Sequence, residues 1–194
     1  MDAFTVKAYY MQIPCGEPDF SVYPKAREDE IFSVRNDRLK REKYYAWELL
    51  EYAIEDCGMN FRELDFSKNE NGKWVCDKLC FSLSHTDGAV AVAVSQNAVG
   101  VDIETVSDRA HRVAKKVFSQ GELDACEGDE ILYTTRLWTQ KEAIFKTLDN
   151  RVFSPQNIVI SEHIVKTRDI EINGEKYVIS VAGLGAENTE FYNK

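Results

Sequence analysis

The sequence has no apolar run long enough to cross a membrane. A membrane-spanning helix needs about 20 apolar residues, and the longest candidate, Ala89–Val94, is far shorter. The first residues carry an early acid, Asp2, and no cationic segment that leads into an apolar one. We therefore expect no signal peptide, no membrane association and a cytoplasmic location.

Positive charge is also scarce. The chain of 194 residues carries 24 Lys and Arg against 33 Asp and Glu, a net charge of −9. A general nucleic-acid binder needs a broad basic surface, so no nucleic acid is expected as a partner. With 44% hydrophobic and 11% aromatic residues, the chain has enough apolar side chains to bury a core, and this excludes a disordered protein.

Paired cysteines are absent as well. The five cysteines are odd in number and contain no C-x-x-C pair: Cys15, Cys57, Cys76, Cys80 and Cys126. This pattern indicates neither a disulfide framework nor a thiolate metal site, and it predicts buried, reduced thiols.

Apolar periodicity divides the chain into two halves that each contain a strand, then helices, then strands. In the first half it predicts a strand over 4–13, helices over 24–34 and 37–57, and a meander over 72–103 with a two-residue hairpin at Gln96-Asn97. In the second half it predicts helices over 111–118, 120–126 and 130–148, and strands over 157–161, 167–172 and 176–182. Asn173-Gly174 is typical of a type I′ turn. The expected class is α+β, with subdomains over 1–98 and 99–194.

Two carboxylates share one face of a predicted strand. Asp102 and Glu104 stand two residues apart, about 7 Å between Cα atoms, while Val101 and Ile103 face the opposite side. Their repulsion would be relieved by a divalent cation. Taken alone, the pair is more typical of a solvated sheet edge in an acidic protein.

Three further segments carry chemistry-bearing side chains. Trp138, Glu142 and Lys146 share one face of a predicted helix, which alone indicates only an amphipathic helix with a Glu–Lys pair. A strand ends in Ser84-His85, although a lone histidine is often structural. The run 35–43 holds five basic and two acidic residues, and this local excess of positive charge favours a polyanionic ligand.

In order and spacing, these segments resemble the 4′-phosphopantetheinyl transferase superfamily, in its single-chain, surfactin-synthetase-activating type. The family pattern is Ser-His at a strand end, then (V/I)-G-(V/I)-D-x-E, then F-S-x-x-E and W-x-x-K-E-(A/S)-x-x-K. The matching segments are 84–85, 99–104, 118–122 and 138–146.

The resemblance implies a pseudo-dimer of two similar α+β subdomains with the active site in the cleft between them. It also implies a monomeric enzyme that transfers the phosphopantetheine arm of coenzyme A to a serine of an apo acyl or peptidyl carrier protein. Adenosine 3′,5′-bisphosphate would be released. A patch of Arg109, Arg112, Lys115 and Lys116 is a candidate docking surface for the carrier, and it is equally typical of an ordinary amphipathic helix.

The resemblance assigns roles to particular residues. The Mg²⁺ ligands would be Asp102, Glu104 and Glu142. Catalytic roles fall to Glu142 and Lys146, with Glu122 as a further candidate. The residues expected to bind coenzyme A, chiefly at its 3′-phosphate, are Lys73, Ser84, His85 and Arg35.

Two other functions are compatible with this fold. One is a non-catalytic module that binds coenzyme A or a nucleotide, and the other is a metal-dependent phosphohydrolase that cleaves coenzyme A with water. The presence of Asp102, Glu104, Glu142 and Lys146 argues against a module that has lost catalysis.

Overall fold

The structure, a computed structural model, describes residues 5–16, 18, 25–148 and 152–194. The strands are β1 (Lys7–Gln12), β2 (Phe66–Lys68), β3 (Trp74–Cys76), β4 (Cys80–Thr86), β5 (Ala89–Ser95), β6 (Val99–Thr105), β7 (Val165–Ile172), β8 (Glu175–Gly183) and β9 (Glu190–Asn193). The helices are α1 (Lys25–Ser33), α2 (Asp37–Asp56), α3 (Asp108–Val117), α4 (Gln120–Asp124) and α5 (Glu130–Thr147). The predicted α+β class is confirmed.

The strands form two main sheets and one small ribbon. The first sheet has the order β4-β5-β1-β9, the second has the order β6-β8-β7, and β2 pairs with β3. The pairing of β9 with β1 is parallel, and the other pairings are antiparallel. Strands β4 and β6 are therefore the edges of two different sheets.

Alternating side chains pack the two sheets face to face between two helices. Helix α2 buries Trp47, Leu50 and Ile54 against the outer face of the first sheet. The inner face of that sheet contributes small residues such as Ala91, which pack against a cluster that includes Ile103 of the second sheet. Helix α5 contacts β6 and β8 from the other side. The resulting layers are α2, first sheet, second sheet and α5.

Of the two hairpin turns predicted from turn residues, one is confirmed and the other is wrong. Asn173 and Gly174 have φ values of 51° and 85°, and they join β7 to β8 as predicted. The predicted hairpin at Gln96-Asn97 is wrong, because β6 pairs with β8 instead of β5. The two strands flanking this turn belong to different sheets, so the turn is a crossover between them.

Two other predictions need correction. Residues 157–161 do not form a strand, since short 3₁₀ turns occupy Pro155–Asn157 and Ile160–Glu162. Strand β9 was not predicted, and it adds residues from the second half of the chain to the first sheet. The ends of two predicted elements, Phe4 and Pro24, lie outside the described residues. The subdomain boundary at 98/99 and the pseudo-dimer remain predictions.

The described segments contain no helix that is both long and apolar enough to span a membrane. All five cysteines are free thiols, as predicted. None of them is fully buried, however, because Cys15 is exposed and the other four are partly exposed.

Candidate active site

The alternation along β6 separates a core face from a polar face. Val101 and Ile103 are fully buried between the sheets, as predicted, whereas Gly100 faces α5. A Cβ atom on Gly100 would lie 1.9 Å from the carbonyl oxygen of Ala143 and 3.1 Å from Cβ of Lys146. The absence of a side chain at this position thus permits α5 to lie directly on β6.

Asp102 is the buried centre of the polar face, with 2% of its surface exposed. Its Oδ1 atom accepts hydrogen bonds from Ser84 Oγ at 2.7 Å and from Lys146 Nζ at 2.8 Å. Its Oδ2 atom is buried and has no partner among the described residues. Lys146 Nζ also donates to the Val101 carbonyl and lies 4.0 Å from Glu142 Oε2.

Asp102, Glu104 and Glu142 form one electrostatic cluster. Burial and the neighbouring Asp102 raise the pKa of Glu104. Burial first, and the charge of Asp102 second, raise the pKa of Glu142 to about 7, although Lys146 opposes this shift. The site therefore concentrates negative charge around a single ammonium group, and Glu142 titrates near neutral pH.

The donor set can be tested against a magnesium ion. Within the described part of the chain, no three His, Cys, Asp or Glu side chains stand close enough together to hold a metal by themselves. Mg²⁺ is commonly held by one or two carboxylates, with water and substrate phosphate oxygens completing its coordination. The unpartnered Oδ2 of Asp102 is a carboxylate oxygen of the kind that Mg²⁺ prefers as a ligand. These residues therefore fit a magnesium ion whose remaining ligands come from water and from the phosphates of the substrate.

Three alternating hydroxyls of β4 join the two sheets beneath this cluster. Ser82, Ser84 and Thr86 each accept a hydrogen bond from a main-chain N–H of β6, at Val101, Ile103 and Thr105 respectively. Thr86 Oγ1 also donates to Glu104 at 3.1 Å. The hydroxyls thus satisfy an otherwise unpaired sheet edge and hold two carboxylates in place. Sequence reasoning missed this ladder, although its period-two spacing is visible in 82–86.

A cleft of about 370 Å³ lies next to the cluster and is lined by both halves of the chain. Its walls include Gly72, Lys73, Trp74, Phe81, Phe145 and Lys146. Lys73 Nζ donates to the Lys146 carbonyl oxygen at 2.6 Å. Lys73 and Lys146 are therefore brought together, as expected for residues of one site.

His85 lies at the end of β4 in a second cavity of about 520 Å³, which also contains Arg38, Glu42, Thr86 and Glu104. Its Nδ1 atom is 3.0 Å from Glu42 Oε2. Partial burial, together with the charges of Lys146, Lys43, Arg27 and Arg38, lowers the pKa of His85 to about 4. The imidazole is consequently neutral at neutral pH when no ligand is bound.

The structure gives three predicted site residues other surroundings. Ser84 is buried and its hydroxyl donates to Asp102, so in this structure it positions a carboxylate. Glu122 forms a capping box with Ser119 and an ion pair of 2.7 Å with the buried Lys141. Arg35 is exposed between α1 and α2 and has no contact with a charged group among the described residues.

Glu122 therefore has a structural explanation. Lys141 is 1% exposed, and its Nζ also donates to the carbonyl oxygens of Pro155 and Ile158. A buried ammonium group requires a carboxylate partner, and hydrogen bonds from Lys141 and Ser119 lower the pKa of Glu122 against the effect of burial.

Glu30 is a supporting residue that sequence reasoning missed. This carboxylate on α1 accepts from Trp74 Nε1 at 2.7 Å and from Lys43 Nζ at 2.7 Å, and it pairs with Arg27 and Lys68. It thereby fixes Trp74, one wall of the 370 Å³ cleft. Its partners lie on four different elements, so no local pattern identifies it.

Comparison with known proteins agrees with this geometry. A family model described as the 4′-phosphopantetheinyl transferase superfamily matches residues 98–186, the segment that contains Asp102, Glu104, Glu142 and Lys146. The chain is also 26% identical over 160 residues to the 4′-phosphopantetheinyl transferase gsp of Aneurinibacillus migulanus, covering 71% of this chain and 68% of the relative. The matched segment is centred on the carboxylate cluster, so this chain is similar to the enzymes of the 4′-phosphopantetheinyl transferase superfamily in the part that holds its candidate active site.

Proposed function

We propose that this enzyme transfers the 4′-phosphopantetheine arm of coenzyme A to a serine of an apo acyl or peptidyl carrier protein, with Mg²⁺, and releases adenosine 3′,5′-bisphosphate. The observation that carries the proposal is the carboxylate cluster of the buried Asp102 and the half-buried Glu104 and Glu142 around Lys146, in the segment matched by the family model. The magnesium ion, the nucleotide product and the individual residue roles are parts of this proposal.

In the proposed reaction, the serine oxygen forms a bond to the phosphorus that carries pantetheine. The bond from that phosphorus to the bridging oxygen of the pyrophosphate breaks, and adenosine 3′,5′-bisphosphate leaves with the electron pair. Glu142 accepts the serine proton, directly or through a water molecule. A carboxylate placed beside the reacting hydroxyl can act as a general base, a role typically worth about 10²- to 10⁴-fold in rate.

Asp102 would hold the magnesium ion through its unpartnered Oδ2, with Glu104 or Glu142 as a second carboxylate and with water and substrate phosphate oxygens completing the coordination. When bound, Mg²⁺ supplies positive charge that offsets the negative charge of the transferring and leaving phosphates. Lys146 would contact the pyrophosphate, since its ammonium group already lies between Asp102 and Glu142.

The two cavities are proposed to bind the coenzyme. Lys73 would contact the 3′-phosphate, since it lines the cleft shared by both halves. His85 would do so from the neighbouring cavity. Arg35 is exposed and supplies a further cation near the start of α2. The exposed basic side chains of α3, which include Arg109 and Arg112, are proposed to dock the acidic carrier.

The test is intact-mass spectrometry of an apo carrier protein after incubation with the enzyme, coenzyme A and Mg²⁺. Acyl and peptidyl carriers are assayed in parallel, with an EDTA control. Asp102→Ala removes the central carboxylate, and Asp65→Ala serves as a matched control because Asp65 is an exposed aspartate far from the site in sequence. We expect a mass gain of one phosphopantetheine with the wild type and with Asp65→Ala, and none with Asp102→Ala or with EDTA.

Other outcomes identify the alternatives. If coenzyme A is broken down without any carrier, the enzyme is a phosphohydrolase. If coenzyme A binds but no carrier gains mass, the chain is a non-catalytic binding module. Either result would overturn the proposed transfer.

A further inference from the structure

A buried carboxylate stands directly behind His85. Glu42, on α2, is 3% exposed, and its Oε2 atom lies 3.0 Å from His85 Nδ1. Its Oε1 atom is buried and has no hydrogen-bond partner among the described residues, although Arg38 Nε lies 3.2 Å away. A buried acid thus lines the cavity that contains His85, and it shares the exposed Arg38 with Asp87.

The cations near His85 are already engaged by acids. Arg38 pairs with Glu42 and also with Asp87, at 3.2 Å. Lys43 and Arg27 both pair with Glu30. These ion pairs cancel much of the positive charge that the sequence of 35–43 predicts.

Two more cations of that run have partners, whereas Arg35 is exposed. Lys40 pairs with Asp37, and Arg41 donates to the main-chain carbonyls of Pro14 and Cys15. Most of this local positive charge is therefore already paired, and Arg41 and Lys43 use it to join α2 to neighbouring segments. A doubly charged phosphate entering beside His85 would meet Glu42 and Asp87 as well as Arg38.

We propose that Glu42 is a specificity-determining residue that reduces the preference of this enzyme for coenzyme A over 3′-dephospho-coenzyme A. This inference rests on the proposed function, in which His85 binds the 3′-phosphate. The Glu42 carboxylate holds the imidazole through Nδ1 and repels a phosphate dianion. The dephospho substrate presents a hydroxyl at the same position, and a neutral hydroxyl is not repelled.

The test compares the two substrates by carrier-modification rates at a series of concentrations. Glu42→Gln keeps the size and one acceptor oxygen of the side chain while it removes the charge. We expect KM for coenzyme A to fall about tenfold, the scale of one charge repelling another across several ångströms of partly exposed protein. KM for the dephospho substrate and kcat for both substrates should stay within about twofold.

Glu55→Gln is the matched control, because Glu55 is an exposed glutamate in the last turn of the same helix. It should leave both KM values unchanged. Equal changes in both KM values with Glu42→Gln would mean a structural role and overturn the proposal. A rise in KM for coenzyme A alone would mean that Glu42 assists phosphate binding, which also overturns it.

The wild-type enzyme provides a second test that does not depend on a folded variant. The ratio of kcat/KM for coenzyme A to that for the dephospho substrate should be below about tenfold, and a higher ratio contradicts the proposal. If neither substrate modifies a carrier, the proposed function fails instead, so the two failures are distinguishable.

Discussion

At the scale of single residues, the site is organised by hydrogen bonds to Asp102. Ser84 and Lys146 both donate hydrogen bonds to Oδ1, which leaves Oδ2 as the oxygen that could coordinate a metal ion. Period-two alternation correctly predicted the face to which Asp102 and Glu104 belong. It did not predict that Ser84 donates a hydrogen bond to Asp102. The two residues lie on strands of different sheets, β4 and β6, which contact each other through side chains and are not joined by a hairpin turn.

Ser84→Ala should therefore slow the reaction without weakening the binding of coenzyme A. The variant removes the hydrogen bonds to Asp102 and to the Ile103 N–H, and the unfolding free energy should fall by about 1 to 3 kcal/mol. We expect kcat to drop about 10- to 100-fold, as for other residues that orient metal-binding carboxylates. Steady-state kinetics should show little change in KM for coenzyme A.

The control for this variant is Ser67→Ala, which alters an exposed serine on β2. It should match the wild type in stability and rate. A large increase in KM for coenzyme A with Ser84→Ala would instead support the original assignment of Ser84 to the phosphate.

At the scale of secondary-structure elements, close packing and buried ion pairs set the shape of the cleft. The helix periodicity of 130–148 predicted α5 well, because a long amphipathic pattern has few alternatives. The contact of α5 with Gly100 and the convergence of four elements on Glu30 are tertiary features. They depend on residues that are distant in sequence, and no local pattern encodes them.

Gly100→Ala should separate α5 from β6. A methyl group cannot occupy a position 1.9 Å from the Ala143 carbonyl oxygen, so the helix must shift. Overpacking of this kind should lower the unfolding free energy by about 3 kcal/mol or more, as measured by urea denaturation.

Gly121→Ala is the matched control for the Gly100 variant, since nothing lies within 4 Å of a Cβ atom at Gly121. It should be neutral or slightly stabilising. Equal stability of the two variants would contradict the close contact between α5 and β6.

Glu30 should contribute a pH-dependent part of the stability. Burial acts to raise its pKa, but hydrogen bonds from Lys43, Lys68 and Trp74 outweigh burial and lower the pKa of Glu30 to about 2. A lowered pKa stabilises the folded state above the ordinary value of 4.5, and this stabilisation disappears as the pH falls towards 2. Glu30→Gln should therefore cost on the order of 3 kcal/mol at pH 7.

Denaturant titrations between pH 7 and pH 3 would test this linkage. The difference between wild type and Glu30→Gln should shrink below pH 4.5, whereas the exposed control Glu127→Gln should show no such trend. A difference that stays constant across this range would mean that the ionised form of Glu30 is not what stabilises the fold.

At the scale of the whole molecule, three kinds of contact connect the two halves of the chain. The hydroxyls of β4 bind the edge of β6, the sheets pack face to face, and β9 adds to the first sheet. The sequence predicted most elements of each half. It missed β9, a short and mostly polar strand whose order depends on its pairing with β1.

Removal of residues 190–194 should destabilise the first sheet. The shortened chain loses the parallel pairing with β1, the stacking of Tyr192 on Tyr9 and the ion pair of Lys194 with Glu48. Loss of the partly buried Phe191, together with the stacked but exposed Tyr192 and the strand pairing, should lower the unfolding free energy by about 2 to 4 kcal/mol. Hydrogen exchange should report faster exchange along β1 while β7 and β8 stay protected.

Rapid exchange of β7 and β8 in the shortened chain would instead show that the two sheets unfold together. In that case the pairing of β9 with β1 supports the entire molecule.

The position of β9 also has a consequence for how the protein is made. Strand β1 is synthesised well before its neighbour β9, which follows the other described strands along the chain. The first sheet therefore keeps one open edge until β9 is made, and such an edge can pair with another nascent chain. We expect newly made protein to be most vulnerable to aggregation in the interval before β9 emerges, when the residues of the candidate site have been synthesised but the first sheet is incomplete.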